Sequence, residues 1–172
     1  MMDIRFHILN EFVQKFIVCE STYSHSGKKK KLNFNINNYP KFKDKISYIV
    51  IDEEPPNIIG DKNGLAKPFE KRSDSLKRIN LSYDYMIKAL SDVNENDLII
   101  LSDNDEIPNL NSKQFKNSKK DILIFKQLFF YYKFNLLYDL IPWYGSKAVK
   151  KKKLVSMSWL RNLKNKKYPF WR

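Results

Sequence analysis

The hydrophobic positions along this chain switch repeatedly between helical and extended spacing. Apolar residues at helical spacing predict a helix over residues 3–14 and a longer helix that begins at Ser73 and runs to about Leu90. Ser73 is the expected N-cap of the longer helix, and Asp74 falls in its first turn. Short continuous apolar runs predict buried strands at 16–19, 46–51 and 98–101. This alternation of helices and strands predicts an α/β fold.

The second half of the chain is richer in aromatic residues than the first. Residues 109–117 predict a short helix or turn, and residues 121–135 predict extended structure that includes Phe134. A further strand is predicted from Trp143 to Val149, and a short helix at 158–161. Between the second strand and the long helix, prolines and Gly64 predict a loop through about residue 72. The chain ends in a basic, aromatic segment at Trp171 and Arg172.

Three carboxylates follow the run at 98–101, which we interpret as a buried strand of a mixed or parallel sheet. They are Asp103, Asp105 and Glu106, and Pro108 then ends strand pairing. Ligands of open α/β sheets collect at the carboxyl ends of strands, so a tight turn here would aim Asp103 and Asp105 at one cation. Hard ions such as Mg²⁺ or Mn²⁺ prefer these oxygen ligands. An inert acidic turn is the alternative, but the preceding strand and the Glu-Ile-Pro sequence favour a metal site.

Two other predicted strands end in polar residues. Glu20 and Ser21 follow the first strand, and Asp52 follows the second. Because Asp103 likewise comes shortly after the third strand, these side chains predict a ligand site along one edge of the sheet.

The composition is that of an ordered and strongly basic chain. With 172 residues, 42% of them hydrophobic, the chain can bury one substantial core, which predicts a single domain over 1–172. The net charge of +13 suggests an anionic partner, namely nucleic acid, an acidic membrane face or a phosphorylated substrate. An AT-rich coding sequence, which favours Lys, Asn and Ile, is a plainer explanation of part of this charge.

Cys19 is the single cysteine, so an intrachain disulfide is excluded. Because it lies in an apolar run, we expect a buried, unreactive thiol. No N-terminal signal sequence is visible, and the apolar region 128–144 is interrupted by charged residues, so no membrane span is predicted. A cytoplasmic location is therefore expected.

The acidic turn belongs to an ordered series of short motifs. They are, in chain order, 16–21 (FIVCES), 22–28 (TYSHSGK), Lys77-Arg78, 102–108 (SDNDEIP), 143–145 (WYG) and Leu160-Arg161. In this order, over about residues 3–161, they resemble glycosyltransferase family 17. That family contains the β-1,4-mannosyl-glycoprotein β-1,4-N-acetylglucosaminyltransferases and their bacterial relatives.

The resemblance implies a GT-A-like fold, with a mixed sheet flanked by helices in one glycosyltransferase-like domain. It also implies a metal-dependent, inverting transfer of N-acetylglucosamine, or a similar sugar, from a UDP-sugar to a glycan acceptor. Asp103 and Asp105 would hold Mn²⁺ or Mg²⁺ against the diphosphate of a donor such as UDP-N-acetylglucosamine. The other site residues implied are Glu20, Ser21 and Arg78 at the nucleotide and Trp143 stacked on a sugar.

Glu106 and Asp105 are the predicted catalytic residues, and two roles stay open for Glu106. Beside the metal it could be the base that takes the proton of the acceptor hydroxyl, or it could orient the loop. Arg78 lies between two core positions of the long helix, so we expect it to point away from the apolar stripe. It is then either a surface arginine or a ligand of the donor diphosphate.

The chain departs from the family pattern at both ends. It begins inside the first helix and stops before later histidine-containing motifs, so a truncated protein is expected, and a catalytically weak remnant is one alternative function. A basic nucleic-acid-binding protein is another, suggested by the charge and by aromatic residues interleaved with lysine at 131–134. It lacks a helix-turn-helix, zinc-finger or RNP pattern. Peripheral contact with an acidic membrane through the basic runs is also considered.

Overall fold

The computed structural model describes residues 1–60, 66–133 and 135–165. Three features considered above lie outside these residues: the loop at Gly64, Phe134, and the aromatic end at Trp171 and Arg172. The chain divides into two compact units. The first unit contains Met1–Phe12 and Val93–Arg172, and the second unit contains Val13–Asp92.

The second unit is built on two strands at the positions that their apolar runs predicted, and these strands pair in parallel. Strand β1 (Phe16–Ser21) pairs with β2 (Ile46–Ile51) in a register that joins Phe16 to Ile46 and Ser21 to Ile51. Two 3-10 helices, Ile36–Asn38 and Pro40–Lys45, lie on the connection between the strands. Parallel strands share one carboxyl edge, so the polar residues that end β1 and β2 meet there. Glu20 and Asp52 thus end neighbouring strands, as predicted, but Asp103 follows a strand of a separate sheet, so the prediction that all three lie along one sheet edge was wrong.

Helix α2 (Pro68–Lys88) packs against both strands of the second unit. It begins five residues before Ser73, so the predicted N-cap was wrong. The cause is local, because Pro68 fixes the first helical turn and the Glu70 carboxylate accepts a hydrogen bond from the Lys67 amide at 2.6 Å. Asp74 therefore lies inside the helix, where its buried carboxylate accepts hydrogen bonds from the amides at 59 and 60.

The face of α2 that contacts the rest of the second unit is partly polar. It carries Asp74, Arg78 and Ser82 at intervals of four residues, and the Ser82 carbonyl accepts a hydrogen bond from Cys19 Sγ at 3.7 Å. The Arg78 side chain is only 11% exposed, whereas Leu76 of the predicted apolar stripe is 49% exposed. Arg78 therefore lies off the apolar stripe, as expected, but it is not a surface arginine, because the helix turns this polar stripe inward.

The first unit is an antiparallel sheet with short helices. Its strands are β3 (Leu98–Leu101), β4 (Ile122–Gln127) and β5 (Trp143–Lys150), in the order β3-β5-β4. Its helices are α1 (Met2–Leu9), α3 (Lys113–Lys116) and α4 (Met157–Asn162). Helix α4 packs on β3 and β5. The core consists of Phe6, Leu9, Ile99, Leu101, Leu110, Ala148, Val149, Met157 and Leu160.

Three predictions for the first unit need correction. Strand β3 lies in an antiparallel sheet rather than a mixed or parallel one, because an apolar run indicates burial and not strand direction. The helix predicted over 3–14 ends at Leu9, the last buried position, beyond which packing no longer supports a short helix. Extended structure ends at Gln127, and a hairpin-like loop with a bridge between Phe130 and Leu137 follows.

The α/β composition is confirmed, since both units combine helices with strands. The strand at Trp143 and the short helices at 113–116 and 157–162 are confirmed as well. The GT-A-like arrangement and the single domain stay predictions. In the part of the chain that the structure describes, no helix combines the length and apolarity required to cross a bilayer.

Candidate functional site

The three predicted carboxylates lie on a turn that directly follows β3. The Glu106 amide donates a hydrogen bond to the Asp103 carbonyl at 3.1 Å, which closes the turn. The Asp103 amide in return donates to the Glu106 carboxylate at 3.2 Å. From α1, the Arg5 guanidinium donates to the carbonyl oxygens of Asp103, at 3.4 Å, and of Glu106. Glu106, through its amide and its carboxylate, and Arg5 therefore fix the backbone that carries these side chains.

Glu106 is buried, with 7% of its surface exposed. Its second carboxylate oxygen accepts a hydrogen bond from the Trp143 indole nitrogen at 3.1 Å. Gly145 of β5 makes room for this group, because a Cβ atom there would lie 2.5 Å from Glu106 Oε1. Both carboxylate oxygens of Glu106 are thus engaged in holding the turn to β5.

Asp103 forms an ion pair with a cation far along the chain. Arg161 Nη2, on α4, donates to Asp103 Oδ2 at 2.6 Å. The pair is partly accessible, with the Arg161 side chain 36% exposed and that of Asp103 44% exposed. Leu160, the neighbour of Arg161, is fully buried and anchors α4 on the sheet. The ion pair therefore lies at the surface on a fixed support.

A buried lysine completes this cluster. Lys147 of β5 is 4% exposed, and its ammonium donates to the Gly145 carbonyl at 3.0 Å. Burial lowers the pKa of Lys147, and the charge of Arg161 lowers it further, while Glu106 and Asp103 act in the opposite direction. Arg5, Lys147 and Arg161 together supply three cations beside three carboxylates.

Asp105 differs from its two acidic neighbours. It lies at the exposed part of the turn, separated from Asp103 by one residue. Among residues 1–60, 66–133 and 135–165, no group of three or more His, Cys, Asp or Glu side chains is placed to hold a metal ion. Asp103 and Asp105 offer two carboxylates, which is the donor set that Mg²⁺ commonly shares with substrate phosphates. In donor chemistry, the residues fit such an ion.

Trp143 has one packed face and a partly exposed ring. Its ring stacks on Phe129 with centroids 5.3 Å apart and planes inclined by 20°, and 40% of the residue is exposed. The hydrogen bond to Glu106 fixes the orientation of the indole. The predicted stacking residue is therefore a rigid aromatic surface attached directly to the acidic turn.

In the second unit, Glu20 is surrounded by hydrogen-bond donors. One oxygen accepts from Lys30 Nζ at 2.5 Å and from the Asn33 amide at 2.8 Å. The other accepts from the Phe34 amide at 3.0 Å and the Tyr48 hydroxyl at 3.2 Å. Burial favours the neutral carboxyl, but these hydrogen bonds outweigh it and lower the pKa of Glu20. The carboxylate thus holds the loop after β1 in place.

The remaining polar residues at this strand edge also serve the loops. Ser21 Oγ accepts a hydrogen bond from the Tyr23 amide at 3.0 Å. Thr22 Oγ1 donates to Asp52 Oδ1 at 2.6 Å, which ties the end of β1 to the end of β2. The sequence placed Ser21 and Asp52 at one edge, and the structure joins this edge through Thr22.

Arg78 forms a bidentate ion pair with Glu54. Its Nε donates to Glu54 Oε2 at 2.7 Å and its Nη2 to Oε1 at 3.1 Å, while Nη1 donates to the His25 carbonyl at 3.1 Å. Gly27 has a φ of +85°, and a Cβ there would lie 2.8 Å from the guanidinium carbon. Arg78 therefore connects α2 to the loops that follow both strands.

The structure divides the predicted site residues between the two units. Asp103, Asp105, Glu106 and Trp143 belong to the first unit, and Glu20, Ser21 and Arg78 to the second. Sequence reasoning missed the cations at the acidic turn. The available signals were Lys147 within a buried strand and Arg161 within the Leu-Arg motif, although neither pattern specified a partner.

Comparison with known proteins identifies relatives of this chain. A family model described as glycosyltransferase family 17 matches residues 1–161. The β-1,4-mannosyl-glycoprotein 4-β-N-acetylglucosaminyltransferases of Homo sapiens and Rattus norvegicus are each 30% identical to it over 112 residues. That match covers 63% of this chain and 19% of each relative, so the chain spans about a fifth of the length of these curated relatives. No solved structure matches the chain at a significant level.

Proposed function

We propose that this chain, which belongs to glycosyltransferase family 17, transfers N-acetylglucosamine or a similar sugar from a UDP-sugar to a glycan acceptor with inversion. The family resemblance drawn from the motif order is confirmed by the match over residues 1–161. The observation that carries the proposal is the acidic turn, on which Asp103 and Asp105 are held by a backbone that Arg5 and Glu106 fix.

In this proposal, Asp103 and Asp105 hold Mn²⁺ or Mg²⁺ together with the donor diphosphate. Bound there, the ion would supply Lewis-acid stabilisation of the charge that develops on the departing UDP. Because the turn is closed by its own hydrogen bonds, little ordering of the backbone that carries the two carboxylates would be required when a ligand arrives. The fixed turn is thus suited to a site that binds charge.

Glu106 is proposed to act mainly by positioning the turn. Its oxygens accept hydrogen bonds from the Asp103 amide and the Trp143 indole, and it is 7% exposed. Service as the base would require it to give up one of these bonds and to reach an acceptor hydroxyl. Its contacts therefore support the second of the two roles that the sequence left open.

For Glu20, Ser21 and Arg78 we propose an indirect role at the nucleotide in place of direct contacts. Their polar atoms hold the loops after β1 and β2, through the Lys30, Tyr23 and Glu54 partners described above. We propose that they shape a nucleotide pocket by fixing these loops. Trp143 is proposed to present its partly exposed ring to a sugar.

Calorimetric titration with UDP-N-acetylglucosamine tests the proposed function. We expect binding in the presence of Mn²⁺, loss of binding in EDTA, and at least about tenfold weaker binding by Asp105→Ala, the size of one lost charge-assisted contact. Asp84→Ala is the matched control, because Asp84 is an exposed carboxylate on α2. Absence of binding under all conditions would contradict the proposal.

Nucleic-acid binding is the second candidate, supported by the net charge of +13. The ion pairs of Lys30 with Glu20, Lys150 with Asp121 and Lys151 with Glu95 each cancel within this net value, so the excess positive charge comes from other basic side chains. Strongly salt-dependent binding to DNA, without binding of the nucleotide sugar, would favour this candidate.

A cytoplasmic location with peripheral contact to an acidic membrane is also proposed. The membrane contact is supported by the net charge and by the exposed apolar side chains of the loop that follows β4, of which Leu128 is 71% and Leu140 is 78% exposed. Co-sedimentation with vesicles containing anionic lipid tests this, and recovery of all protein in the supernatant at low salt would contradict it.

A further inference from the structure

The three cations at the acidic turn do not have equivalent partners. Arg5 donates to backbone carbonyls of the turn, and Lys147 donates to the carbonyl of Gly145. Arg161 instead donates to the side chain of Asp103, which is one of the two carboxylates proposed to bind a divalent ion. Arg161 thus uses an oxygen that a metal ion would also seek.

The position of Arg161 suits an exchange of partners. Its side chain and that of Asp103 are 36% and 44% exposed, so ions and phosphates can approach both. Helix α4 keeps the arginine nearby, because Met157 and Leu160 are buried and Ser156 Oγ caps the helix at the Trp159 amide. Separation of the ion pair would therefore require a change of side-chain rotamer and not a movement of the helix.

We propose that Arg161 competes with a divalent cation for Asp103 and, once displaced, binds the phosphate oxygens of the nucleotide donor. This inference rests on the proposed function and assigns a regulatory and binding role to a residue of the same site. A guanidinium presents a planar set of donors that matches carboxylate and phosphate geometry alike, so the exchange replaces one anionic partner with another. No covalent step is involved.

The exchange predicts that loss of Arg161 changes the affinities for Mn²⁺ and for UDP in opposite directions. Removing Arg161 eliminates a competitor for Asp103, so Mn²⁺ alone should bind more tightly. The same change removes a phosphate ligand, so UDP should bind more weakly in the presence of Mn²⁺. Because linkage is reciprocal, the factor by which Mn²⁺ strengthens UDP binding should also fall. A residue that only supports the fold would weaken both ligands together.

The test compares the full chain with Arg161→Gln and Arg161→Lys. Free Mn²⁺ is measured from its electron paramagnetic resonance signal, and UDP binding is measured by calorimetry at saturating Mn²⁺. For Arg161→Gln we expect roughly two- to fivefold tighter Mn²⁺ binding, the size of a partly exposed ion pair. We expect about tenfold or more weaker UDP binding, the size of a lost charge-assisted contact. Arg161→Lys keeps the charge but loses the planar donor set. Its affinities for Mn²⁺ and for UDP should therefore lie between those of the wild type and Arg161→Gln.

Arg72→Gln is the matched control, since it removes one exposed arginine from α2 and should change neither ligand. Thermal unfolding of each variant shows whether the variant is still folded. Unchanged or weaker Mn²⁺ binding by a folded Arg161→Gln, beside a wild type whose Mn²⁺ and UDP binding depends on Asp103, would overturn this inference alone. If the wild type binds neither Mn²⁺ nor UDP, the proposed function and this inference both fail.

Discussion

Glu20 and the acidic turn both place carboxylates at the end of a strand, yet the two regions use them differently. Glu20 accepts four hydrogen bonds, two of them from backbone amides of the loop that follows β1. In the acidic turn the backbone is held separately, by Arg5 and Glu106, and Asp105 is left exposed. A carboxylate whose oxygens are saturated by the fold serves structure, whereas one on a turn fixed by other groups can serve a ligand.

The largest effect on stability is expected from a substitution of Glu20, whose carboxylate oxygens are saturated with hydrogen bonds. Glu20→Gln replaces an acceptor oxygen with an NH₂ group that faces donors, so at least one donor loses its partner. We expect the free energy of unfolding to fall by about 1–3 kcal/mol, measured by urea denaturation. Glu11→Gln, at an exposed glutamate, is the control and should change stability by less than about 0.5 kcal/mol. Equal stability of Glu20→Gln and Glu11→Gln would show that the four hydrogen bonds of Glu20 do not stabilise the fold, contrary to its proposed structural role.

An intermediate effect is expected where the acidic turn meets β5. Gly145→Ala would place a Cβ atom 2.5 Å from Glu106 Oε1 and in contact with the Gln127 side chain. Both side chains must move, so we expect a loss of about 1–2 kcal/mol, at the lower end of overpacking effects, and weaker Mn²⁺-dependent nucleotide binding. Trp143 fluorescence should also change, since its hydrogen bond to Glu106 is disturbed. A variant that keeps stability and nucleotide binding would show that the turn does not depend on this close approach.

The smallest effect is expected from pH. The folded state lowers the pKa of Glu20, so the stabilisation by this group is complete above the pKa of an unfolded glutamate, about 4.3. It is lost as pH falls through the lower pKa of the folded state. The difference in stability between wild type and Glu20→Gln should therefore narrow as the pH is lowered from 7 to below about 4. Denaturation curves at several pH values measure this difference in stability. A difference that widens as the pH falls would contradict a lowered pKa of Glu20 in the folded state.

Several elements could be predicted because their signals are local. Each apolar run that became β1, β2 or β3 consists of consecutive residues, and the carboxylate that follows each run lies within two residues of it. The first and last residues of the elements were predicted less accurately. Helix α2 begins at Pro68 rather than Ser73, because a proline and the Glu70 side chain close its first turn.

The partners of the site residues could not be predicted in the same way. Arg5 is 98 residues from Asp103 in sequence, and Arg161 is 58 residues from it. Helical spacing placed Arg78 outside the apolar stripe but could not show that it is buried, because Glu54 and the His25 carbonyl hold its guanidinium inward. Hydrogen bonds between distant segments depend on how the segments pack, and periodicity carries no record of that.

The sequence alone determined that carboxylates follow the strands, that the motifs occur in the order of glycosyltransferase family 17, and that the chain is strongly basic. Only the tertiary structure decided which carboxylates are saturated. It gave Glu20 four donors, closed the turn at Asp103 with Arg5 and Glu106, and set Arg161 against the predicted metal ligand. The physical reason is that residue type fixes the charge and the hydrogen-bonding capacity of a side chain, whereas the fold fixes which groups come within hydrogen-bonding distance of it.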